Sequence, residues 1–208
     1  MEKQDTGDSS MEQKILAAAE LLFLEKGLAL TSTTEIAKEA GCNQALVHYY
    51  FRTKDRLFEM IFEKKAELFM KTFLQISGEL LPFEEKLRRK VAAHYEMLLA
   101  NPQLPFLIIN ELVTNPQRLQ GLKEKLSSVV GSVYREFEAE LAEEIRKGTV
   151  RPLSVADIII TIISLNVYPF LGAPVLKVAM GLDAAGLQER LRMRKQENVE
   201  IVLRSLRP

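Results

Sequence analysis

An all-α chain is predicted, with an N-terminal three-helix helix-turn-helix domain and a C-terminal helical bundle. Three observations predict it. Apolar residues recur at i, i+3, i+4 and i+7 through most of the chain, and no stretch keeps the two-residue period of a strand. Glycine and proline fall at the ends of the periodic segments, where helices stop and start. Residues 31 to 54 spell two short helices joined by a glycine turn, the second carrying polar and aromatic side chains.

The first ten residues are polar and unpatterned, and are read as a disordered arm. The first helix runs from about Met11 to Lys26, buries Ile15, Ala19 and Leu22, and stops at Gly27. Ser32 and Glu35 make a capping box, so the second helix begins at Thr33. It ends at Gly41, because glycine enters a left-handed C-terminal cap without a Cβ penalty. Asn43 caps the third helix, whose first helical residue is Gln44.

Val47 and Phe51 share one face of that third helix and pack on Ile36, Ala37 and Ala40. Gln44, Ala45, Leu46, His48 and Tyr49 point outward. A glutamine near the start of such a helix can pair with adenine N6 and N7, and Ala45 or Leu46 can touch a thymine methyl. Thr33, His48, Tyr49 and Lys54 suit phosphate oxygens, which fix register without reading sequence.

Further helices are predicted over 54–77, 83–100, 103–114, 116–147, 154–171, 174–181 and 184–206. Phe58, Phe62, Ala66, Phe69, Phe73 and Ile76 form one stripe along the first of these, which links the two domains (11–53 and 54–208) and would carry a movement between them. In the second domain, polar residues interrupt apolar faces: His94 with Met97, Asn110 beside Phe106, and Asn166 with Ile163 and Phe170. Together with Phe62, Phe69 and Tyr134, these are the candidate lining of a site for a small lipophilic molecule carrying one or two polar groups.

Residues Ile15 to Phe58 resemble the TetR-type (AcrR-like) bacterial transcriptional regulators. The resemblance rests on Ile15-Leu16-Ala17-Ala18-Ala19, Leu22-Phe23, Glu25-Lys26-Gly27, Thr31-Ser32, Ile36-Ala37, Ala40-Gly41, Tyr49-Tyr50-Phe51, Lys54 and Leu57-Phe58. It implies an all-helical homodimer that binds a palindromic double-stranded DNA operator and lets go when a small effector enters the C-terminal domain. Thr34 and Leu46, also carried over as DNA contacts, stand where many members have Arg, Lys or Gln and Thr, respectively.

Dimerisation is expected through the apolar run Ile158 to Ile163 and the terminal helix, with Leu187, Leu191, Val199, Val202, Leu203 and Leu206 pairing across the interface. The basic run Arg190, Arg192, Arg194, Lys195 is read as solvated or salt-bridged rather than as a DNA patch.

Lys and Arg number 28 against 28 Asp and Glu, so net charge points to neither a nucleic-acid nor a membrane partner. Over residues 1–54 acidic side chains outnumber basic ones, which predicts a modest salt dependence of DNA binding. The single cysteine, Cys42, and the lack of a basic-plus-apolar leader point to the cytoplasm. The longest apolar stretch, Ile158 to Val167, is too short to span a bilayer. Two histidines and one cysteine supply no zinc site, and no nucleophile elbow, Walker loop or dinucleotide turn is present, so neither enzyme activity nor a metal or cofactor is expected. The alternative reading is a helical small-molecule-binding or interaction protein with weak or lost DNA binding.

Overall fold

The computed structural model describes residues 5–74 and 81–208, and every regular element among them is an α-helix. The helices are α1 (Asp5–Leu30), α2 (Thr33–Glu39), α3 (Gln44–Phe51), α4 (Lys54–Leu74), α5 (Phe83–Ala100), α6 (Leu104–Thr114), α7 (Pro116–Lys147), α8 (Val155–Leu171), α9 (Ala173–Ala179) and α10 (Ala184–Ser205). They fall into two compact units, Met1–Glu67 and Leu68–Pro208, so the division lies within α4.

α1 begins earlier than the sequence reading placed it. Asp5 to Ser10, expected as part of an unpatterned arm, continue the helix. The sequence puts two aspartates in this first stretch, and acidic residues at the positive end of a helix dipole favour helix over coil. Gly27 does break the helix (φ 78°, ψ 175°), and a last turn runs on to Leu30.

The first unit closes around Ile15, Ala19 and Phe23 of α1, Ile36 and Ala37 of α2, Val47 and Phe51 of α3, and Leu57, Phe58 and Ile61 of α4, all buried. Phe23 and Phe58 meet edge to face with ring centres 4.9 Å apart. The first turns of α4 thus belong to the first unit, whereas the sequence places the start of the second domain at Lys54. Two charged contacts brace the unit: Lys26 to Glu35 at 2.5 Å and Lys65 to Glu20 at 2.5 Å. Of the stripe expected along α4, Phe58, Phe62 and Ala66 are buried, while Ile76 and the side chains of Phe69 and Phe73 lie outside the described residues.

In the second unit α5, α8 and α10 pack around Leu87, Val91, Ile158, Ile162, Val199, Val202 and Leu203, with Leu141 of α7 closing the layer. A neighbouring cluster holds Tyr95, Leu98, Val167, Phe170 and Leu191. The terminal-helix residues expected to pair across a dimer, Leu191, Val199, Val202, Leu203 and Leu206, are instead buried within this chain. The same periodicity serves either purpose, and here α5 and α8 supply the partner surface.

One polar seam crosses this core. Asn166 Nδ2 donates to Val91 O at 3.0 Å and lies 3.1 Å from His94 Nδ1. Asn198 Nδ2 donates to Leu165 O at 2.8 Å and to Asn166 Oδ1 at 3.0 Å. All three side chains are buried. The seam ties α5, α8 and α10 in one register, because shifting any helix would strand a buried polar group.

Candidate functional site

The second and third helices are held at a fixed angle by their caps. Ser32 Oγ accepts the Glu35 amide at 3.2 Å, and Glu35 returns a carboxylate oxygen to the Ser32 amide at 2.9 Å. Lys26 and Ser32 together hold the Glu35 carboxyl down to about 2. At the other end the Cys42 amide donates to Ala37 O at 2.9 Å and the Gly41 amide to Lys38 O at 3.2 Å. That is a Schellman closure, and it requires the left-handed Gly41 (φ +67°). Asn43 Oδ1 then accepts the Leu46 amide at 3.0 Å and opens α3.

α3 buries Val47 and Phe51 and presents Gln44, Ala45, His48 and Tyr49 outward; Leu46 is half-buried. Tyr49, at 63% exposure, packs edge to face on Tyr50 with ring centres 5.1 Å apart. An exposed tyrosine held by a neighbouring ring presents its hydroxyl in few orientations, which suits a phosphate contact.

Gln44, Thr33 and His48 form a chain of hydrogen bonds. Gln44 Nε2 donates to Thr33 Oγ1 at 2.8 Å and lies 3.5 Å from His48 Nε2, while His48 Nδ1 lies 3.1 Å from Arg52 O. A carbonyl only accepts, so the neutral ring carries its proton on Nδ1 and leaves Nε2 to accept from Gln44. The amide nitrogen of Gln44 is then turned inward and its oxygen faces out. In this arrangement Gln44 offers an acceptor to adenine N6 or cytosine N4. The paired adenine contact expected from sequence would need the amide to leave Thr33 or His48.

Lys54 also has a task that sequence did not reveal. Its ammonium donates to Leu28 O at 2.9 Å and Thr31 O at 2.8 Å, closing the end of α1. Thr34 is exposed and Thr33 half-buried. Arg52, which the sequence did not single out, is exposed at the end of α3 and holds φ at 63°, where non-glycine residues are rare. Lys38, Arg52 and Arg56 show no ion pair among the described residues, and neither do the exposed Lys14 of α1 and Lys64 of α4.

The candidate effector residues are partly dispersed. His94 and Asn166 come together, with Phe170 also buried nearby in the second unit, but as members of the packed seam and its flanking cluster. Burial pushes the His94 imidazole down to about 4. Met97 and Asn110 are half-buried, whereas Phe106, Tyr134 and Ile163 are exposed. Phe62 belongs to the first unit and stacks on Phe58, and the side chain of Phe69 lies outside the described residues. Glu111 is ion-paired with Arg118 at 3.3 Å.

A slot of about 490 Å³ lies elsewhere in the second unit, lined by Tyr168 and Pro169 of α8, Leu176 of α9, Met180 just past its end, and Leu187, Arg190, Leu191 and Arg194 of α10. Among the described residues no group of three or more His, Cys, Asp or Glu is placed to hold a metal ion. Burial raises the Cys42 thiol, which disfavours the reactive thiolate.

Residues 15–61 match the family described as bacterial regulatory proteins, tetR family. Over 138 residues the chain is 23% identical to the fatty acid metabolism regulator protein of Bacillus subtilis, covering 66% of this chain and 70% of that one. The crystal structure of HlyIIR, a hemolysin II transcriptional regulator, is similar with a TM-score of 0.66 and 24% identity, over 97% of this chain and 99% of that chain. The transcriptional regulator FadR from Bacillus subtilis, solved in complex with stearoyl-CoA, is similar with a TM-score of 0.58 and 19% identity, over 93% of this chain and 98% of that chain.

Proposed function

From the membership of its helix-turn-helix head in the TetR family of bacterial regulatory proteins, we propose that this DNA-binding regulator is a ligand-responsive repressor. It binds a palindromic operator as a homodimer in the cytoplasm and is released by a small lipophilic effector. The observation that carries the reading is α3 itself: capped at its entry by Asn43, anchored by Val47 and Phe51, and displaying Gln44, Ala45, His48 and Tyr49 to solvent. A helix so anchored enters a major groove as a rigid body.

A second copy is supported by α8, where Ile160 (63% exposed), Ile163 and Tyr168 leave an apolar stripe in solvent while Ile158 and Ile162 fill the core. A two-fold dimer places its α3 helices on half-sites about 34–36 Å apart or a multiple of that. The effector is supported by the family relatives, one named for fatty acid metabolism and one solved with stearoyl-CoA. α4, which begins in the first unit and ends in the second, is the element along which occupancy would reach the DNA-reading helices. No single helix among the described residues is long and apolar enough to cross a membrane.

The alternative, a helical ligand-binding protein with weak DNA affinity, is favoured by the ties that hold Lys26 and Lys54 inside the first unit. Selection of bound genomic fragments at low and near-physiological salt separates the two, using wild-type, Gln44→Ala and Tyr49→Ala proteins. An inverted repeat enriched by wild type and lost in both variants is the expected result. Recovery of no sequence by a folded dimer at either salt overturns the operator reading.

A further inference from the structure

α10 carries four basic residues in one short run, and they divide into two pairs. Arg192 reaches Glu189 at 3.5 Å and Lys195 reaches Glu96 at 2.6 Å, so these two are neutralised within the chain. Arg190 and Arg194 have no carboxylate partner among the described residues. They lie one turn apart on α10, and both line the slot of about 490 Å³ whose other walls are Tyr168, Pro169, Leu176, Met180, Leu187 and Leu191.

Two guanidiniums without an ion-pair partner stand at the wall of a mostly apolar slot. Their like charges repel, and each planar fork presents paired N–H donors that match a carboxylate or phosphate. The positive field in this corner reaches Tyr95, whose hydroxyl is pushed up to about 12 by burial while Arg194 opposes that shift. Tyr95 Oη donates to Leu191 O at 2.8 Å, which fixes the slot floor against α5. The volume lies in the range of small-molecule sites, and the apolar residues outnumber the charged ones.

We propose that this slot between α8, α9 and α10 binds an anionic amphiphile, its carboxylate or phosphate head held by Arg190 and Arg194 and its hydrocarbon tail lying on Leu176, Met180, Leu187 and Leu191. The inference rests on the effector reading above and deepens it, giving the effector a charge and a place. Tyr168 also belongs to the exposed α8 stripe, so the slot lies beside the proposed dimer face.

The test is calorimetric titration of the full chain with dodecanoate, dodecyl phosphate, dodecanol and dodecyltrimethylammonium below their micellar concentrations. Light scattering records the oligomeric state at each step. Wild type should bind one or both anions at least tenfold tighter than dodecanol and the cation. The stronger anion identifies the source as a free carboxylate or a phosphate-bearing lipid. An Arg190→Gln, Arg194→Gln protein should lose that preference, and an Arg190→Lys, Arg194→Lys protein should keep part of it. Anion binding unchanged in the glutamine protein overturns the slot assignment and leaves the effector reading standing. Failure of every dodecyl probe to bind wild type overturns both. Glutamine substitutions that dissociate a dimer without altering anion binding assign the arginines to the interface between copies and overturn the proposal.

Discussion

Asn198 Nδ2 donates, at 2.8 Å, to the carbonyl of Leu165, the acceptor that Pro169 leaves without its helical partner. Within α8 the Leu165 oxygen would take the amide of residue 169, and proline has none. A side chain from α10 therefore completes the backbone of α8, and the same amide holds Asn166 Oδ1 at 3.0 Å.

Replacing Asn198 by leucine keeps the bulk and strands both acceptors in a buried setting. The expected cost is about 2–6 kcal/mol, since each buried group left unpaired loses on the order of 1–3 kcal/mol. In a Pro169→Ala background the alanine amide serves Leu165, so the cost of the Asn198 change should fall by about 1 kcal/mol or more. Urea unfolding of the four proteins closes the cycle. Equal costs in both backgrounds would show that Asn198 does not act through the proline.

His94 makes stability pH-dependent in a defined window. Burial holds the imidazole at about 4 in the folded chain, against about 6.5 when unfolded. Because the unfolded chain takes the proton first, the contribution is complete above pH ~6.5 and lost as pH falls toward 4, in all about 3 kcal/mol. The depressed Glu35 carboxyl, held at about 2, loses its own contribution only below its ordinary value of 4.5. Between pH 6.5 and 4.5 a His94→Gln protein should therefore show a flatter stability curve than wild type. Parallel curves across that window would remove His94 as the cause.

The caps and the seam differ in how far they could be read from sequence. Ser32, Glu35, Gly41 and Asn43 act within a few residues of themselves, so their spacing alone specifies the turn. Val47 and Phe51 were legible for the same reason, one helical turn apart on a face with a near neighbour in the chain. Asn198 and Pro169 stand far apart along the chain, and nothing local marks them as partners. The slot is harder still, because α8, α9 and α10 each contribute only part of a wall. Periodicity tells that Leu191 and Val199 are buried without telling against what, and so they were assigned to a second copy.

Two positive-φ positions flank α3 and should respond in opposite directions. Gly41 (φ +67°) has open space where a Cβ would stand, so Gly41→Ala carries only the conformational penalty, about 1 kcal/mol. Arg52 holds φ at 63° and ψ at −56° with a side chain present. Arg52→Gly should relieve that strain and leave stability unchanged or raised by up to about 1 kcal/mol. Thermal unfolding of the two variants decides it, and a large loss for Arg52→Gly would mean the side chain braces the fold.

Lys54 and Arg52 separate structure from DNA contact. The Lys54 ammonium is committed to Leu28 O and Thr31 O, two carbonyls at the end of α1. Hydrogen bonds to a charged group are worth more than neutral ones, so Lys54→Met should cost about 1.5–3 kcal/mol. Its effect on operator affinity should track the loss of folded protein, with the salt slope kept. Arg52 is exposed and has no ion pair among the described residues, which leaves its charge for a phosphate. Arg52→Gln should leave stability within about 0.5 kcal/mol. It should reduce the slope of log K against log salt by about 0.9 for each phosphate that the arginine neutralises in the wild-type complex. Binding titrations over a range of salt, run beside denaturation of the same proteins, measure both quantities. If Lys54→Met lowers the slope and Arg52→Gln does not, the two roles are exchanged, and the phosphate is held at the end of α1 rather than the end of α3.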